Sequence, residues 1–257
     1  MCSWSGARRW GEGLGGLRDV VRQELVAAQL AEALAERPSS RPLRVLDAGC
    51  GQGTQALRLA RAGHEVTGLD PSAELLDRFA AELSKEDPEV QGGVRVVQGL
   101  GEAAPEMVAG PFDLVLCHGV LMYLDDIVSM LAALSAVATE HGLLSVLVRN
   151  GLAPAMRDGL RGDYLGARRA FDSPRYTNRL GLPARAHTPA QVDAALAAFG
   201  WRRTRWSGVR VFTDHRHGPS PSGDELEQLL AAEHEAGRRD PYRSVAALLH
   251  LIYARSQ

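Results

Sequence analysis

The glycine-rich segment 44–72 limits the fold of this chain more than any other part of the sequence. It reads RVLDAGCGQGTQALRLARAGHEVTGLDPS, in which a short apolar strand leads into three glycines at alternate positions, a helical run and a second apolar strand. The glycines are Gly49, Gly51 and Gly53, and the second strand ends on Asp70. This order of strand, glycine loop, helix, strand and acid predicts one half of a nucleotide-binding α/β unit.

Strands and helices alternate through much of the remaining sequence. Further strands are expected at 94–97, 112–118, 142–149, 201–213 and 250–255, and a polar turn at 85–93. Helical periodicity predicts helices at 17–36, 54–62, 73–83, 127–139, 188–199 and 224–238. The strand FDLVLCH is almost wholly apolar, as a buried parallel strand should be. The alternation predicts an α/β fold built on a doubly wound parallel sheet.

Length and composition favour one domain. The chain has 257 residues, of which 45% are hydrophobic, and this suits a single α/β domain with insertions, residues 1–257. The formal net charge of −2 gives the whole molecule no general attraction to nucleic acid. Cys2, Cys50 and Cys117 show neither paired nor metal-ligand spacing, so we expect reduced thiols and no metal site.

Apolar runs in the sequence are short. None approaches the ~20 residues needed to cross a bilayer, and the first residues lack the apolar core of a signal peptide. We therefore expect a cytoplasmic protein without a membrane partner. Residues 1–16 carry Trp4, Trp10 and five glycines without periodicity, which is typical of a loop. With the helix that follows, residues 1–40 are interpreted as an N-terminal lid and helix.

The spacing of the glycines narrows the choice of ligand. A dinucleotide, a nucleoside triphosphate and S-adenosylmethionine are all compatible with a glycine loop after a strand. No Gly-Lys-Ser/Thr follows the glycines, so the triphosphate-binding loop is absent. The dinucleotide pattern G-x-G-x-x-G would require glycine at Thr54, whereas the third glycine here is Gly53. Asp70, 23 residues after Asp47, is placed to accept hydrogen bonds from both ribose hydroxyls.

These residues also carry a resemblance to a known family. The segments VLDAGCGQG, GLDPS and FDLVLCH resemble those of class I S-adenosylmethionine-dependent methyltransferases. With GLRDVVRQ, LCHGVLMYL, GVRVFTD and DPYRSVAALLHLIYARS, the order of motifs is similar to that in bacterial tRNA 5-carboxymethoxyuridine methyltransferases. That resemblance implies a Rossmann-like seven-stranded sheet, S-adenosyl-L-methionine as the cofactor, and methyl esterification of a carboxyl group on a wobble uridine.

The resemblance also implies which residues contact the cofactor. The glycine loop and Cys50 would contact its methionine end, Asp70 its ribose, and the Gly101–Glu102 dipeptide would flank its adenine. Arg18 would reach its carboxylate, for which a bidentate guanidinium is suited. His118 ends the predicted fourth strand, at the edge where open α/β sheets bind ligands, so we expect a cofactor or substrate contact. The predicted cofactor residues are Arg18, Gly49, Cys50, Gly51, Asp70, Gly101, Glu102 and His118.

A carboxylate acceptor would need positioning rather than activation. Because it is already ionised at neutral pH, transfer depends on proximity, alignment and desolvation, and no catalytic base is expected. Arg149 and Arg210 are candidates to hold the carboxylate, although each could equally be an ion-paired or surface residue. Tyr123, shortly after His118, is a candidate to stack on a substrate ring.

The segment 150–187 is interpreted as a substrate-side insert. It contains seven arginines, interleaved with three aromatic residues, against three aspartates, which leaves a local excess of four positive charges. The arginines are Arg157, Arg161, Arg168, Arg169, Arg175, Arg179 and Arg185. This pattern fits either RNA binding or a lid over a small-molecule pocket. A tRNA acceptor, a small-molecule acceptor for O- or N-methylation, and a non-catalytic cofactor-binding module therefore remain open at this point.

Overall fold

A seven-stranded sheet forms the centre of the computed structural model, which describes residues 15–37, 39–178 and 181–255. Its strands are β1 (Arg44–Ala48), β2 (Glu65–Asp70), β3 (Val94–Gln98), β4 (Phe112–His118), β5 (Ala138–Arg149), β8 (Trp201–Val209) and β9 (Leu248–Arg255). The order across the sheet is β3-β2-β1-β4-β5-β9-β8. Strands β1 to β5 pair in parallel, and β9 pairs antiparallel with both β5 and β8. The predicted seven-stranded α/β sheet is thus confirmed, with one reversed strand near its edge.

Helices cover both faces of the sheet. In the described part of the chain they are α1 (Leu17–Ala35), α2 (Thr54–Arg61), α3 (Ala73–Leu83), α4 (Pro88–Gly92), α5 (Ala104–Met107), α6 (Ile127–Ala136), α7 (Met156–Leu160), α8 (Tyr164–Phe171), α9 (Pro189–Ala197) and α10 (Asp224–Arg238). One apolar cluster joins α6 and α9 to the sheet, and a second joins α2 and α3 to its other face. A third cluster packs α1 and α10 beside β8 and β9. These helices bury their apolar faces against the strands, as their periodicity predicts.

The structure differs from the predicted elements at four main places. Strand β5 begins at Ala138 rather than at 142, because Ala138 pairs with Phe112 at the start of β4, and α6 accordingly ends at Ala136. Strand β9 begins at Leu248 rather than at 250. The expected polar turn at 85–93 contains α4, which Pro88 opens at its first turn.

The fourth difference concerns the end of β8, which was expected to reach residue 213. The strand stops at Val209 because Arg210 has a left-handed backbone with φ 63°. The amides of Val211 and Phe212 then donate to the buried carboxylate of Glu233 on α10, at 2.6 and 3.1 Å, instead of to a neighbouring strand. A side chain on a distant helix therefore ends this strand, and no local pattern in the sequence signals it.

Chain order across the sheet reverses between β1 and β4. From β1 the chain proceeds outward through β2 and β3, and it then returns to β4 and continues to β5 on the other side. Ligands of open α/β sheets bind at such a switch point, beyond the carboxyl ends of the strands. The loop after β1 and the residue His118 at the end of β4 both lie at this edge.

The predicted insert folds into two short helices and a hairpin. The helices are α7 and α8, and the hairpin strands β6 (Arg175–Thr177) and β7 (Pro183–Arg185) pair antiparallel. Arg179 and the proposed lid residues 1–14 lie outside the described residues. Within the described ranges, no helix has both the length and the apolar character required to span a membrane.

Candidate active site

The glycine loop turns sharply between β1 and α2. Gly49 has φ 81°, and its amide donates to the carbonyl of Leu69 at the end of β2, 2.7 Å away. A Cβ on Gly49 would overlap the side chain of Val120, which follows β4. Glycine at this position therefore meets two requirements at once, a left-handed backbone and close packing of the loop against the neighbouring strand.

Asp70 holds this loop from the end of β2. Its Oδ2 accepts a hydrogen bond from the amide of Gly51 and its Oδ1 accepts one from the amide of Ser72, both at 2.9 Å. Burial raises the pKa of this carboxyl, and the two amide hydrogen bonds oppose the shift. Asp70 thus fixes the shape of the loop. Each of its oxygens retains further acceptor capacity for the predicted ribose contact.

A second buried acid lies beneath the same loop. Asp47 in β1 is only 3% exposed, and burial, with a smaller contribution from the charge of Asp70, raises its pKa to about 7. Two acids with raised pKa values beside one glycine loop are typical of a functional site. The sequence singles out Asp47 only by its spacing from Asp70, and Asp47 is not among the predicted cofactor residues.

A crevice between α1 and the carboxyl ends of β1 and β4 brings together five of the residues discussed above. It is lined by Asp47, Gly49, Cys50, Gly51 and His118, and also by Arg22, Gln23, Val26, Gln52, Thr54, Gln55 and Leu147. Its one acid, Asp47, is an acceptor suited to an ammonium or hydroxyl group of a ligand, and Asp70 holds the loop that carries Gly51. The buried Nδ1 of His118, which has no hydrogen-bond partner among the described residues, suits a further donor. These hydrogen-bond acceptors fit the amino and hydroxyl groups of S-adenosylmethionine.

Four predicted cofactor residues, Arg18, Asp70, Gly101 and Glu102, do not line this crevice. Asp70 holds the loop beside it through the amide of Gly51, and its ribose contact stays a prediction. Gly101 is buried against Met130, and Glu102 is exposed in the turn after β3, so their adenine contact stays a prediction. Arg18 lies in the wall of a neighbouring cavity, where its Nη1 donates to the backbone carbonyl of Asp214 at 3.4 Å. Its proposed contact with the cofactor carboxylate also stays a prediction.

The neighbouring cavity, of about 160 Å³, contains all three predicted substrate residues. Tyr123, Arg149 and Arg210 line it, and helix α1 and the insert close it. The other lining side chains include Arg18, Asp19, Arg22, Met122, Arg157, Asp158, Arg175, Tyr176, Asn178 and Asp214. We refer to this space as the acceptor cavity. Six arginines against three aspartates give it a positive character.

Asp214 is the centre of the charge in the acceptor cavity. Its Oδ2 accepts from Nη1 of Arg149 at 2.9 Å and lies 4.0 Å from Nε of Arg157, while its Oδ1 lies 3.2 Å from Nη2 of Arg210. These guanidinium groups hold the pKa of Asp214 well below its usual range, in spite of its burial. Burial lowers the pKa of Arg210 to about 10, so this arginine remains cationic at neutral pH.

One carboxylate therefore faces three guanidinium groups. Among the described residues, the Nε atoms of Arg157 and Arg210 are buried without a hydrogen-bond partner. Buried cationic donors of this kind are costly unless an anion satisfies them. The arrangement can therefore bind an anionic group. Asp214 was not identified from the sequence, although its spacing of four residues from Arg210 within GVRVFTD offered a signal.

The crevice and the acceptor cavity share a wall. Arg22 and Leu147 line both spaces, and the consecutive residues His118 and Gly119 line one each. Arg22 is held in place by Asp19, whose Oδ1 lies 2.9 Å from its Nη2. A ligand in the crevice and an anion in the acceptor cavity would therefore lie side by side, as a group transfer requires.

Comparison with known proteins identifies the family. Residues 45–142 match the family model described as a methyltransferase domain. The chain is 31% identical over 239 residues to the tRNA 5-carboxymethoxyuridine methyltransferase of Escherichia coli (strain K12), covering 92% of this chain and 89% of that relative. The chain belongs to the class I S-adenosylmethionine-dependent methyltransferases. It is an enzyme of that family, and its cofactor is S-adenosylmethionine.

Other similarities of this methyltransferase are more partial. The ubiquinone biosynthesis O-methyltransferase of Xanthomonas axonopodis pv. citri (strain 306) is 36% identical over 138 residues, 53% of each chain. The crystal structure of magnesium protoporphyrin IX methyltransferase from Synechocystis PCC 6803, with bound SAH, superimposes with a TM-score of 0.65. At 18% identity, covering 99% of this chain and 96% of that one, this likeness shows a shared fold.

Proposed function

We propose that this methyltransferase esterifies a carboxylate on a modified wobble uridine of tRNA. The observation that carries the proposal is the group of Arg149, Arg157 and Arg210 around the single carboxylate of Asp214 in the acceptor cavity. An anionic acceptor would satisfy the buried guanidinium donors that Asp214 leaves without a partner. The methyl acceptor named for the Escherichia coli relative is of this chemical class.

Ester formation at this site requires positioning and the exclusion of water. The cofactor, when bound, supplies a methyl group on a positively charged sulfur. The carboxylate oxygen donates an electron pair to the methyl carbon, and the pair of the carbon–sulfur bond returns to sulfur, so that no proton moves. The arginines would hold the acceptor carboxylate inside the cavity, which shares Arg22 and Leu147 with the crevice. Tyr176 closes the cavity, with Arg149 5.7 Å from the centre of its ring.

Asp214 also affects the rate of methyl transfer. The acceptor loses negative charge as the ester forms, so a strong cationic clamp would stabilise the ground state more than the transition state. By neutralising one of the three guanidinium charges, Asp214 limits that excess stabilisation. It therefore orients the arginines without allowing them to bind the carboxylate too tightly.

Features beside the acceptor cavity favour RNA over a metabolite. A groove of about 400 Å³ adjoins it and shares Met122, Tyr123, Arg175, Tyr176 and Thr177 with it. The groove is also lined by Arg185, which does not line the cavity and pairs with Arg175 across the β6–β7 hairpin. Two arginines and two tyrosines in one groove suit the phosphates and bases that flank a target nucleotide.

Helix α8 of the insert adds an exposed surface. Tyr164 and Phe171 are 73% and 76% exposed and lie seven residues apart, on the same face of the helix. Arg168 and Arg169 lie in its last turn. Exposed aromatic rings beside arginines are suited to stacking on unpaired bases of an RNA loop. A tRNA substrate would also place the enzyme in the cytoplasm, as expected from the sequence.

A methyl-transfer assay tests the proposal. The protein is incubated with methyl-labelled S-adenosylmethionine and either tRNA carrying 5-carboxymethoxyuridine, tRNA lacking that modification, or a metabolite extract. We expect label only in the carboxyl-bearing tRNA, and mild alkali should release it as methanol, because a methyl ester hydrolyses whereas N-methyl and ether linkages do not. Label confined to the extract would favour a small-molecule O-methyltransferase, which the likeness to ubiquinone biosynthesis enzymes supports.

A further inference from the structure

A row of buried polar groups crosses the sheet and ends at the cofactor crevice. Nε2 of Gln29 on α1 donates to the carbonyl oxygen of Gly208 on β8, at 3.3 Å. Oε1 of Gln29 lies 2.9 Å from Nδ1 of His250 on β9, and Nε2 of His250 lies 2.7 Å from Oγ of Ser145 on β5. Oγ of Ser145 lies 2.8 Å from Nε2 of His118 on β4. Gln29, Ser145 and His250 are each at most 1% exposed.

The direction of these hydrogen bonds follows from the carbonyl group of Gly208, at which the row begins. A carbonyl oxygen only accepts, so the amide nitrogen of Gln29 must face Gly208 and its amide oxygen must face His250. Nδ1 of His250 is therefore the protonated nitrogen. Burial lowers the pKa of His250 to about 3, so its ring is neutral at physiological pH and Nε2 carries a lone pair.

The hydrogen bonds of Ser145 then determine which nitrogen of His118 is protonated. The hydroxyl of Ser145 has one hydrogen, which it must donate to the lone pair on Nε2 of His250. Its oxygen is then left to accept from Nε2 of His118, so that nitrogen carries the proton. Burial, with a smaller contribution from the positive charge of Arg22, lowers the pKa of His118, so its ring is also neutral. The lone pair of His118 is consequently on Nδ1.

The lone pair on Nδ1 of His118 lies at the cofactor crevice. Nδ1 of His118 is buried and has no hydrogen-bond partner among the described residues, and His118 lines the crevice together with Asp47 and Arg22. We propose that the row from Gly208 to Ser145 fixes the proton of His118 on Nε2, so that Nδ1 accepts a hydrogen bond from an N–H or O–H group of the cofactor. Gln29, Ser145 and His250 are then positioning residues. The proposal concerns cofactor binding and does not depend on which acceptor is methylated.

A neutral acceptor suits this cofactor for an electrostatic reason. S-adenosylmethionine carries a sulfonium and an ammonium group, and an imidazolium in the same crevice would repel both. A neutral histidine in the other tautomer would present an N–H donor to the ammonium and leave both donors unsatisfied. The row across the sheet excludes that tautomer. Its members come from four elements far apart in sequence, so the folded sheet itself selects the proton position.

Nitrogen NMR of the wild-type protein tests the tautomers directly. In protein labelled with ¹⁵N-histidine at pH 7, spectra assigned with His118→Gln and His250→Gln variants should show His118 protonated at Nε2 and His250 protonated at Nδ1. Addition of S-adenosylhomocysteine should shift Nδ1 of His118 and leave both nitrogens of His250 in place. The reverse tautomers, or no response of His118 to the ligand, would overturn the proposal.

A pair of serine variants separates positioning from general loss of packing. Ser145→Ala interrupts the row, and we expect a mixture of His118 tautomers and about tenfold weaker S-adenosylhomocysteine binding in calorimetry. Ser135→Ala removes an equally buried hydroxyl, which donates to Leu131 and accepts from Trp201, outside the row. It should lower the melting temperature without changing the tautomer or the affinity. Gln29→Met, at the far end of the row, should reproduce the effects of Ser145→Ala. If neither Ser145→Ala nor Gln29→Met changes the tautomer of His118 or the affinity for S-adenosylhomocysteine, the row does not position His118.

Discussion

Nη2 of Arg210 lies 3.2 Å from Oδ1 of Asp214, which Arg210 reaches from a left-handed backbone with φ 63°. For a side chain as large as arginine this conformation costs roughly 1–2 kcal/mol. The ion pair and the burial of both side chains, which are 15% and 12% exposed, hold it in place. Arg149 shares the same carboxylate. The alternative of an ion-paired role, left open for both arginines by the sequence, is therefore realised inside the cavity that was expected to bind the substrate.

Replacement of Asp214 by asparagine should destabilise the enzyme. Three guanidinium groups would lose their shared counter-charge in a mostly buried site, and breaking a buried pair in this way costs about 3 kcal/mol or more. Urea denaturation at pH 7 measures the loss. The matched control is Asp240→Asn, whose exposed carboxylate pairs with Arg243 and should have little effect. Equal effects of the two variants would show that Asp214 does not organise the cavity.

Two arginine variants should separate the acceptor cavity from the adjoining groove. Arg157 lines only the cavity and Arg185 lines only the groove. Arg157→Gln should therefore lower kcat/KM about tenfold or more for both the free 5-carboxymethoxyuridine nucleoside and the full tRNA. Arg185→Gln should lower it for tRNA, mainly through KM, and leave the nucleoside reaction unchanged.

The use of two substrates also distinguishes a wrong acceptor from a wrong RNA-binding groove. If neither substrate is methylated by the wild-type enzyme, the proposed acceptor is wrong. If both are methylated but Arg185→Gln acts on them equally, the acceptor stands and the groove does not contact RNA. Calorimetry with S-adenosylhomocysteine should give wild-type affinity for both variants, because neither side chain lines the cofactor crevice.

Local patterns in the sequence were sufficient to predict the fold class. The glycine spacing and the alternating apolar segments predicted an α/β sheet with a glycine loop after its first strand, and the family resemblance implied seven strands. The separate strands and the loop follow from residues close in sequence, whereas the order of the strands across the sheet depends on distant pairs. The hairpin of β6 and β7 was not predicted, because its strands have three residues each and lie in a polar segment.

The parts of the site that sequence reasoning missed depend on distant contacts. Gln29 and His250 are 221 residues apart in the chain, and Glu233 ends β8 from another helix. A buried glutamine on an amphipathic helix looks the same in sequence as an exposed one. Only the packing of α1 over β8 and β9 brings it to His250, so no motif could reveal the row that leads to His118.

Substitution in the glycine loop should reveal how tightly α2 packs. Gly53 has φ 81°, and a Cβ there would overlap the ring of the buried Phe79. Gly63 has a similar φ of 87°, but a Cβ there would meet no atom within 4 Å. Gly63→Ala should therefore cost only the backbone strain, about 1 kcal/mol, whereas Gly53→Ala should cost several kcal/mol and weaken cofactor binding. Similar melting temperatures for the two variants would contradict the packing argument.

Asp47 should give the enzyme an unusual dependence of stability on pH. Burial raises the pKa of this carboxyl to about 7, compared with about 3.9 in an unfolded chain. Between these values the folded state binds a proton that the unfolded state has lost, so this group makes the free energy of unfolding fall as pH rises. The buried neutral histidines act in the opposite direction, because their lowered pKa values cost stability as pH falls below about 6.5.

A comparison with Asp47→Asn isolates the carboxyl, because the histidine contribution is common to both proteins. The difference in free energy of unfolding, variant minus wild type, should increase by about 3 kcal/mol between pH 4 and pH 7, with a slope that approaches about 1.4 kcal/mol per pH unit in the middle of this range. Urea denaturation at each pH measures it without cofactor. A difference that stays constant over this range would show that Asp47 is ionised throughout, and that the crevice is more hydrated than its 3% exposure indicates.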